Sequence, residues 1–126
     1  MNMNQVTVPA RDLAASVAFY RLLGLKQIVG GTAHYARFEC PQGEATFSLH
    51  STTAPGVDGG VVVYFETGDL DAQVRRLQQC GVVFTQEPRD ESWRWREARL
   101  QDPSGNTICL YWAGANRKHP PWRMPD

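Results

Sequence analysis

DLAASVAFYRLLGL at residues 12–25 and DLDAQVRRLQQCGV at residues 69–82 are two versions of one helical pattern. Each begins with Asp-Leu, carries apolar residues at helical spacing and stops at a glycine, as a capped helix does. Each also follows a run of β-branched residues that is typical of a strand. The repetition predicts two related halves, with the functional site in a cleft between them.

The patterns around each helix predict the same order of elements in both halves. In the first half we expect a strand at 3–9, a helix at 12–23 and strands at 25–29, 33–40 and 45–50. In the second half we expect a strand at 61–67, a helix at 69–80 and strands near 82–86, 93–101 and 106–112. This order predicts an α+β fold built from two βαβββ modules.

Composition shifts predict where the modules begin and end. Modules at 3–50 and 61–112 are separated by a polar, glycine-rich linker at 51–60. We therefore expect residues 1–112 to form a single domain. Residues 113–126 are rich in proline, which predicts an extended C-terminal tail that is packed on a surface or loose.

The overall composition excludes several classes of protein. The chain has 126 residues, with 13 basic and 13 acidic side chains, so it lacks the positive charge that nucleic acids and anionic membranes attract. No apolar run approaches the roughly 20 residues that span a bilayer, and no signal peptide is recognisable, so we expect a cytoplasmic protein. Three scattered cysteines predict reduced thiols rather than disulfides.

Strand alternation divides the predicted strands into two faces. One face is apolar and suits the two helices. The other face mixes aromatic and polar side chains, namely Gln5, Thr7, Thr46, Ser48, His50, Val62, Tyr64, Glu66, Trp93, Trp95, Glu97, Arg99, Cys109 and Tyr111. Such a face is not a dry core. It is a solvated surface, a subunit interface or a pocket wall, and its aromatic residues favour a ligand cleft or an interface.

Several side chains on or near this face have two readings. His50 and Glu66 are candidates for a catalytic base and the residue that orients it, and the alternative is that each forms only local hydrogen bonds. Alternation along Trp93–Arg96 directs both tryptophans to the mixed face, as a stacking wall or as dimer packing. Arg37 pairs with a ligand carboxylate or forms a surface salt bridge. Cys109 has no visible activating partner, which favours an inert thiol.

Three motifs occur together in a specific order. They are the helix at 12–25 with Phe19-Tyr20, the segment DLDA at 69–72 with Gly81-Val82, and the turn DPSGN at 102–106 leading to Ile108 and Leu110. Together they resemble the vicinal oxygen chelate superfamily, which includes glyoxalase I, the bleomycin-resistance proteins and the extradiol dioxygenases. The resemblance covers residues 3–112. It implies that the modules form a curved mixed sheet around a cleft, with helices on the convex side, in a homodimer.

Metal-dependent members of that superfamily place one ligand on each of four strands. The matching positions here are Gln5, Ser48, Val62 and Cys109. Val62 has no donor atom and Ser48 is a poor ligand, whereas a catalytic metal usually keeps three protein ligands. His50 and Glu66 could replace Ser48 and Val62 as ligands, but they lie ~7 Å and ~13 Å further along their strands than those positions, which is too far apart for one ion. The resemblance therefore implies no metal and no other cofactor for this chain.

These observations predict a metal-independent small-molecule binding protein of the glyoxalase/bleomycin-resistance type. The predicted ligand contacts are Gln5, Ser48, His50, Tyr64, Glu66, Trp93, Trp95, Arg99 and Tyr111. One alternative is a divalent-metal-dependent lyase or isomerase, or a dioxygenase-like enzyme. Another is a structural dimer with an empty cleft. The expected partners are a small ligand and a second copy of the chain, without nucleic acid or membrane.

Overall fold

The computed structural model describes residues 1–54 and 60–126, so residues 55–59 of the predicted linker lie outside the described residues. The first module contains β1 (Gln5–Ala10), α1 (Leu13–Leu22), β2 (Lys26–Val29), β3 (Tyr35–Glu39) and β4 (Thr46–Ser51). The second contains β5 (Val62–Glu66), α2 (Leu70–Gln79), β6 (Phe84–Asp90), β7 (Arg96–Gln101) and β8 (Thr107–Trp112). The predicted α+β order of two βαβββ modules is confirmed. In the part of the chain described, neither helix is long and apolar enough to cross a membrane.

Each module has its own four-stranded mixed sheet. The strand orders are β1-β4-β3-β2 and β5-β8-β7-β6, and in each sheet the first strand runs parallel to its neighbour while the other pairs are antiparallel. The chain divides into two compact units. The first unit is residues 1–60 together with 102–106, and the second is residues 61–101 together with 107–126.

The core of the first unit is an aromatic contact between α1 and its sheet. The buried ring of Tyr20 lies 4.5 Å from that of Phe47 and 6.2 Å from that of Phe38. The apolar spacing of α1 predicts a buried stripe through Leu13 and Val17, but those two side chains are only half-buried and Ser16 is fully buried instead. The reason is a polar contact, since Ser16 Oγ lies 3.5 Å from Ser104 Oγ.

The turn at 102–106 explains why these residues belong to the first unit. Asp102 is buried and accepts hydrogen bonds from the Tyr20 hydroxyl at 2.6 Å, from the Ser104 and Asn106 backbone N–H groups at 2.9 Å each, and from Asn106 Nδ2 at 2.7 Å. Ser104 Oγ accepts from the Arg11 backbone N–H at 2.8 Å. The tight turn that DPSGN predicts is therefore also the contact that fixes α1 and the end of β1.

The second unit packs α2 on the apolar face of its sheet. Leu70, Val74 and Leu77 form the buried stripe of α2, one helical turn apart. The sheet supplies the buried side chains Ala98, Leu100, Ile108 and Leu110. On the same side, the Arg96 guanidinium bridges Asp71 of α2 at 3.0 Å and Asp90 of β6 at 3.1 Å.

The two helix starts differ, although both sequences begin with Asp-Leu. Asp12 caps α1, because its Oδ1 accepts from the Ala15 backbone N–H at 3.0 Å. Asp69 occupies the same position before α2, but its side chain makes no capping hydrogen bond. The expectation that both aspartates cap their helices with the side chain is therefore wrong for Asp69, whose backbone conformation differs from that of Asp12.

Two segments differ from the sequence prediction. β7 starts at Arg96 rather than at residue 93, because residues 91–95 form a turn in which the Glu91 backbone N–H donates to the Trp95 carbonyl at 2.8 Å. Arg94 lies in the left-handed region at φ 67° inside this turn. The C-terminal tail is not extended throughout, since Gly114–Arg117 form a 3-10 helix.

Candidate functional site

Three rings form an aromatic cluster on the polar face of the second sheet. Trp95 and Tyr111 stack with centroids 4.8 Å apart and an interplanar angle of 22°. Tyr64 meets both edge-on, at 6.0 Å from Trp95 and 5.4 Å from Tyr111. Tyr111 is buried, whereas Tyr64 is 42% exposed. The cluster therefore has a covered base and an exposed ring, which is a surface on which a planar group can stack.

A buried carboxylate lies beside this cluster. Glu97 is 1% exposed, and its two oxygens accept from Trp93 Nε1 at 2.6 Å, from Arg99 Nη2 at 3.0 Å and from Cys109 Sγ at 3.6 Å. Arg99 Nη2 also donates to the Tyr64 hydroxyl at 3.1 Å. Glu97 thus holds both an indole and a guanidinium in place at the edge of the aromatic cluster.

Trp93 and Trp95 reach the mixed face of the second sheet through a turn and not through strand alternation. Trp93 and Trp95 do not alternate along a strand, because both lie in the turn that precedes β7. The turn still brings Trp93 to Glu97 and Trp95 to Tyr111. Arg96 points instead to the α2 side, where it pairs with Asp71. Arg96 and the two tryptophans therefore have partners on different sides of the sheet, although the strand periodicity assumed for residues 93–95 is absent.

The polar face of the first sheet carries a separate hydrogen-bonded network. Ser48 Oγ is 2.7 Å from Gln5 Nε2 and 2.7 Å from the Tyr35 hydroxyl, which accepts from Arg37 Nε at 2.9 Å. Thr46 Oγ1 donates to Gln5 Oε1. The hydrogen bonds of Tyr35 with Ser48 and Arg37 lower the pKa of its phenol. Of these residues, Gln5 and Ser48 were predicted as ligand contacts.

The two catalytic candidates, His50 and Glu66, belong to different units of the chain. His50 is exposed on β4, in the first unit, and lies opposite Tyr35 in the register of β3 and β4. Glu66 belongs to the second unit, where its Oε2 accepts from the backbone N–H groups of Ala113 at 2.9 Å and Gly114 at 3.0 Å. Glu66 therefore anchors the start of the 3-10 helix, which is the local hydrogen bonding that the alternative reading describes.

Sequence reasoning missed two residues that organise these faces. Glu97 was placed on the mixed face but not among the ligand contacts, and Tyr35 was not singled out. A signal for Glu97 was present, since Trp95 and Arg99 lie on the same face of the strand, and a carboxylate that is buried there has to find donors. Tyr35 and Ser48 carry no such local signal, because their contact depends on the pairing of β3 with β4.

A family model of the Glyoxalase/Bleomycin resistance protein/Dioxygenase superfamily matches residues 2–110. This chain belongs to that superfamily. An uncharacterized protein of Mycolicibacterium smegmatis is 28% identical over 109 residues, covering 86% of this chain and 91% of the relative. The resemblance to the vicinal oxygen chelate proteins is therefore confirmed.

Solved structures of the superfamily share the fold of this member. A glyoxalase/bleomycin resistance protein/dioxygenase from Nocardioides aligns with a TM-score of 0.77 at 24% identity, covering 99% of this chain and 90% of that one. A bleomycin-binding protein complexed with bleomycin aligns with a TM-score of 0.70 at 20% identity, covering 89% and 98%. These likenesses establish that this chain has the fold of the superfamily.

The superfamily's metal chemistry does not fit the donors of this member. Val62 has no donor atom and packs against Cys109 and Tyr111. Burial, with the charge of Glu97, raises the pKa of the Cys109 thiol to about 12, whereas a metal ligand has to be the thiolate. Within residues 1–54 and 60–126, no three His, Cys, Asp or Glu side chains lie close enough to hold one metal ion.

Proposed function

We propose that this protein binds a small organic ligand without a metal ion, and that the ligand stacks on the aromatic cluster of the second unit. The observation that supports this most directly is Tyr64, a ring of the cluster that is 42% exposed and whose hydroxyl accepts from Arg99. Trp93, which is also 42% exposed, borders the cluster, because its Nε1 and Arg99 Nη2 both donate to Glu97. Exposed aromatic rings on a rigid, stacked base lose little conformational entropy on binding. Such a surface is suited to a planar ring.

The charge of the ligand follows from which polar atoms remain accessible. Glu97 is covered, and its oxygens are taken by three donors. The accessible polar groups are the Arg99 guanidinium, whose side chain is 30% exposed, and the Tyr64 hydroxyl. We therefore propose a neutral or anionic ligand. A cationic drug lacks an accessible carboxylate here, which argues against the ligand of the bleomycin-binding neighbour.

Metal independence is proposed from donor chemistry. The resemblance gives Val62 and Cys109 two of the ligand positions of metal-dependent members. Val62 has no donor atom, and Cys109 is a buried thiol whose pKa is raised by burial and by Glu97, which disfavours the thiolate that a metal requires. Elemental analysis of the purified protein tests this directly. We expect no stoichiometric Zn, Ni, Fe or Mn, and a full-occupancy ion that is lost on Gln5→Ala would overturn the proposal.

Thermal-shift screening tests the ligand site. A compound that binds the folded state raises Tm, and we expect planar neutral or anionic compounds to do so. Trp93→Ala should weaken their binding about 2- to 10-fold, the equivalent of about 0.5–1.5 kcal/mol for an aromatic pair. Trp122→Ala is the matched control, because Trp122 is exposed in the tail. Equal affinity in Trp93→Ala and the parent protein, or no ligand in a broad screen, would contradict the proposal.

We also propose that the protein is a homodimer, as its superfamily resemblance implies. Sedimentation velocity over a range of concentrations measures this independently of any ligand. A species of 14.1 kDa at every concentration would show a monomer instead.

A further inference from the structure

Hydrogen-bond directions in the first unit are determined by the burial of Ser48. Ser48 is 0% exposed, and a buried hydroxyl hydrogen requires an acceptor. The Gln5 atom that faces Ser48 is Nε2, at 2.7 Å, and an amide NH₂ group donates hydrogen bonds but does not accept them. Gln5 is therefore a donor to Ser48. The Ser48 hydrogen consequently goes to the other partner at 2.7 Å, the Tyr35 oxygen.

The Tyr35 oxygen then accepts two hydrogen bonds. One comes from Ser48, and the other comes from Arg37 Nε at 2.9 Å. A phenol has one hydrogen of its own, and neither Ser48 nor Arg37 Nε accepts it in this arrangement. That hydrogen is therefore directed out of the network. Donors on the oxygen also polarise the O–H bond, which makes it a stronger donor.

Arg37 supplies further donors at the same place. Its guanidinium carbon lies 5.4 Å from the Tyr35 ring centroid, and its Nε alone is used by Tyr35. Among the described residues, no carboxylate forms an ion pair with Arg37, and the nearby acid Glu39 pairs with Lys26 at 3.4 Å. His50 lies opposite Tyr35 on β4. The accessible groups at this point are thus a phenolic O–H and guanidinium N–H groups.

We propose that Tyr35 and Arg37 form a binding site for a ligand carboxylate on the polar face of the first unit. The Tyr35 O–H donates to one carboxylate oxygen, and the free guanidinium nitrogens of Arg37 donate to the carboxylate as a fork. Ser48 and Gln5 are positioning residues, because they act on the ligand only through Tyr35. This proposal does not rest on the stacking surface proposed for the second unit.

Benzoate is a suitable probe, added at constant ionic strength and followed by NMR through the Arg37 Nε–H and Tyr35 ring signals. We expect saturable shifts of both. Tyr35→Phe should weaken benzoate binding about tenfold or more, since a hydrogen bond to a charged group is lost. Arg37→Met should abolish binding. Arg75→Met is the matched control, because Arg75 is an exposed arginine on α2.

Ser48→Ala tests the direction of the network. In this variant the Tyr35 hydroxyl can still donate its hydrogen, but it has lost the hydrogen bond from Ser48 that orients it. Benzoate should therefore bind more weakly than to the parent protein. Amide spectra verify that each variant is folded. Benzoate binding that is unaffected by Tyr35→Phe, or the absence of saturable shifts in the parent protein, would overturn the carboxylate site. Unchanged binding to Ser48→Ala would overturn the positioning role.

Discussion

At the scale of single residues, the hydrogen bond from Tyr20 to Asp102 links α1 to the turn at 102–106. Both residues are buried, and the bond is 2.6 Å long. Burial, together with the charge of Asp102, raises the pKa of the Tyr20 phenol well above its ordinary value. The phenol therefore stays protonated and continues to donate over the whole range in which the protein is handled.

Removing this hydroxyl should destabilise the protein measurably. We expect Tyr20→Phe to lower the free energy of unfolding by about 1.5–3 kcal/mol, the usual value of a hydrogen bond to a charged group. Denaturant unfolding followed by circular dichroism measures it. Tyr64→Phe is the control, and its loss should stay below about 1 kcal/mol, because Tyr64 is 42% exposed and its hydrogen bond with Arg99 competes with water. Equal losses in the two variants would contradict the structural role of Tyr20.

The raised pKa of Cys109 makes the free energy of unfolding depend on pH. Burial and the neighbouring Glu97 raise the pKa of its thiol from 9.0 to about 12. Between these values the unfolded chain releases the proton and the folded protein keeps it, so the unfolded state binds fewer protons. The contribution of Cys109 to stability is thus complete below about pH 9 and is lost as pH rises toward about 12.

The measurement compares variants in alkaline buffers. The free energy of unfolding of the parent protein should fall more steeply from about pH 9 to 12 than that of Cys109→Ala. Cys80→Ala serves as the control with an exposed thiol and should keep the slope of the parent protein. Identical slopes for the parent and Cys109→Ala would show that the thiol titrates normally in the folded state.

At the scale of elements, two similar sequences form helices with different caps. Before α1, the carboxylate of Asp12 accepts a hydrogen bond from the Ala15 backbone N–H. Before α2, the Asp69 side chain makes no such bond. Side-chain capping needs an extended backbone at the cap residue, which Asp12 has at φ −124° and ψ 97°. The similar sequences therefore predict where both helices start, but of the two predicted side-chain caps the structure shows only that of Asp12.

This difference gives a matched pair of variants. Asp12→Ala should lower the free energy of unfolding by about 0.5–2 kcal/mol, as the loss of an N-cap usually does. Asp69→Ala should cost less, because it removes no capping hydrogen bond. Thermal or urea unfolding of both variants in one buffer makes the comparison. A larger loss for Asp69→Ala would mean that its carboxylate caps α2 after all.

At the scale of the whole molecule, each unit combines a helix and a sheet with one further segment of the chain. The first unit includes the turn at 102–106, and the second includes the C-terminal tail. In the second unit Glu66 binds the start of the 3-10 helix, and Ala113 packs with Cys109 and Tyr111. The tail thereby covers one end of the aromatic cluster.

Hydrogen exchange tests this attachment. In Glu66→Ala the amides of Ala113 and Gly114 lose their carboxylate acceptor, so they should exchange about tenfold faster or more. Glu87→Ala is the control, since Glu87 is an exposed acid whose carboxylate accepts from the Gln78 side chain and is not in contact with residues 113 and 114 in the part of the chain that the structure describes. Unchanged protection at residues 113 and 114 would mean that packing of Ala113 alone retains the tail.

Short stretches of sequence were sufficient to predict the two modules. Apolar spacing locates both helices, and Gly24 and Gly81 end them with φ of 103° and 90°, a conformation that glycine adopts without strain. Alternation along the strands separates the helix-facing side chains from the mixed face, because successive strand residues point in opposite directions. These are local stereochemical properties, and a window of several residues contains them.

The partners of the polar side chains were decided by the tertiary structure. Glu97 receives Trp93 because the turn at 91–95 reverses the chain, and Ser48 meets Tyr35 because β3 and β4 pair in one register. Asp102 binds Tyr20, which is far away in the chain. A buried polar atom needs a partner, but which distant residue provides it depends on strand register and packing, and local sequence does not contain that information.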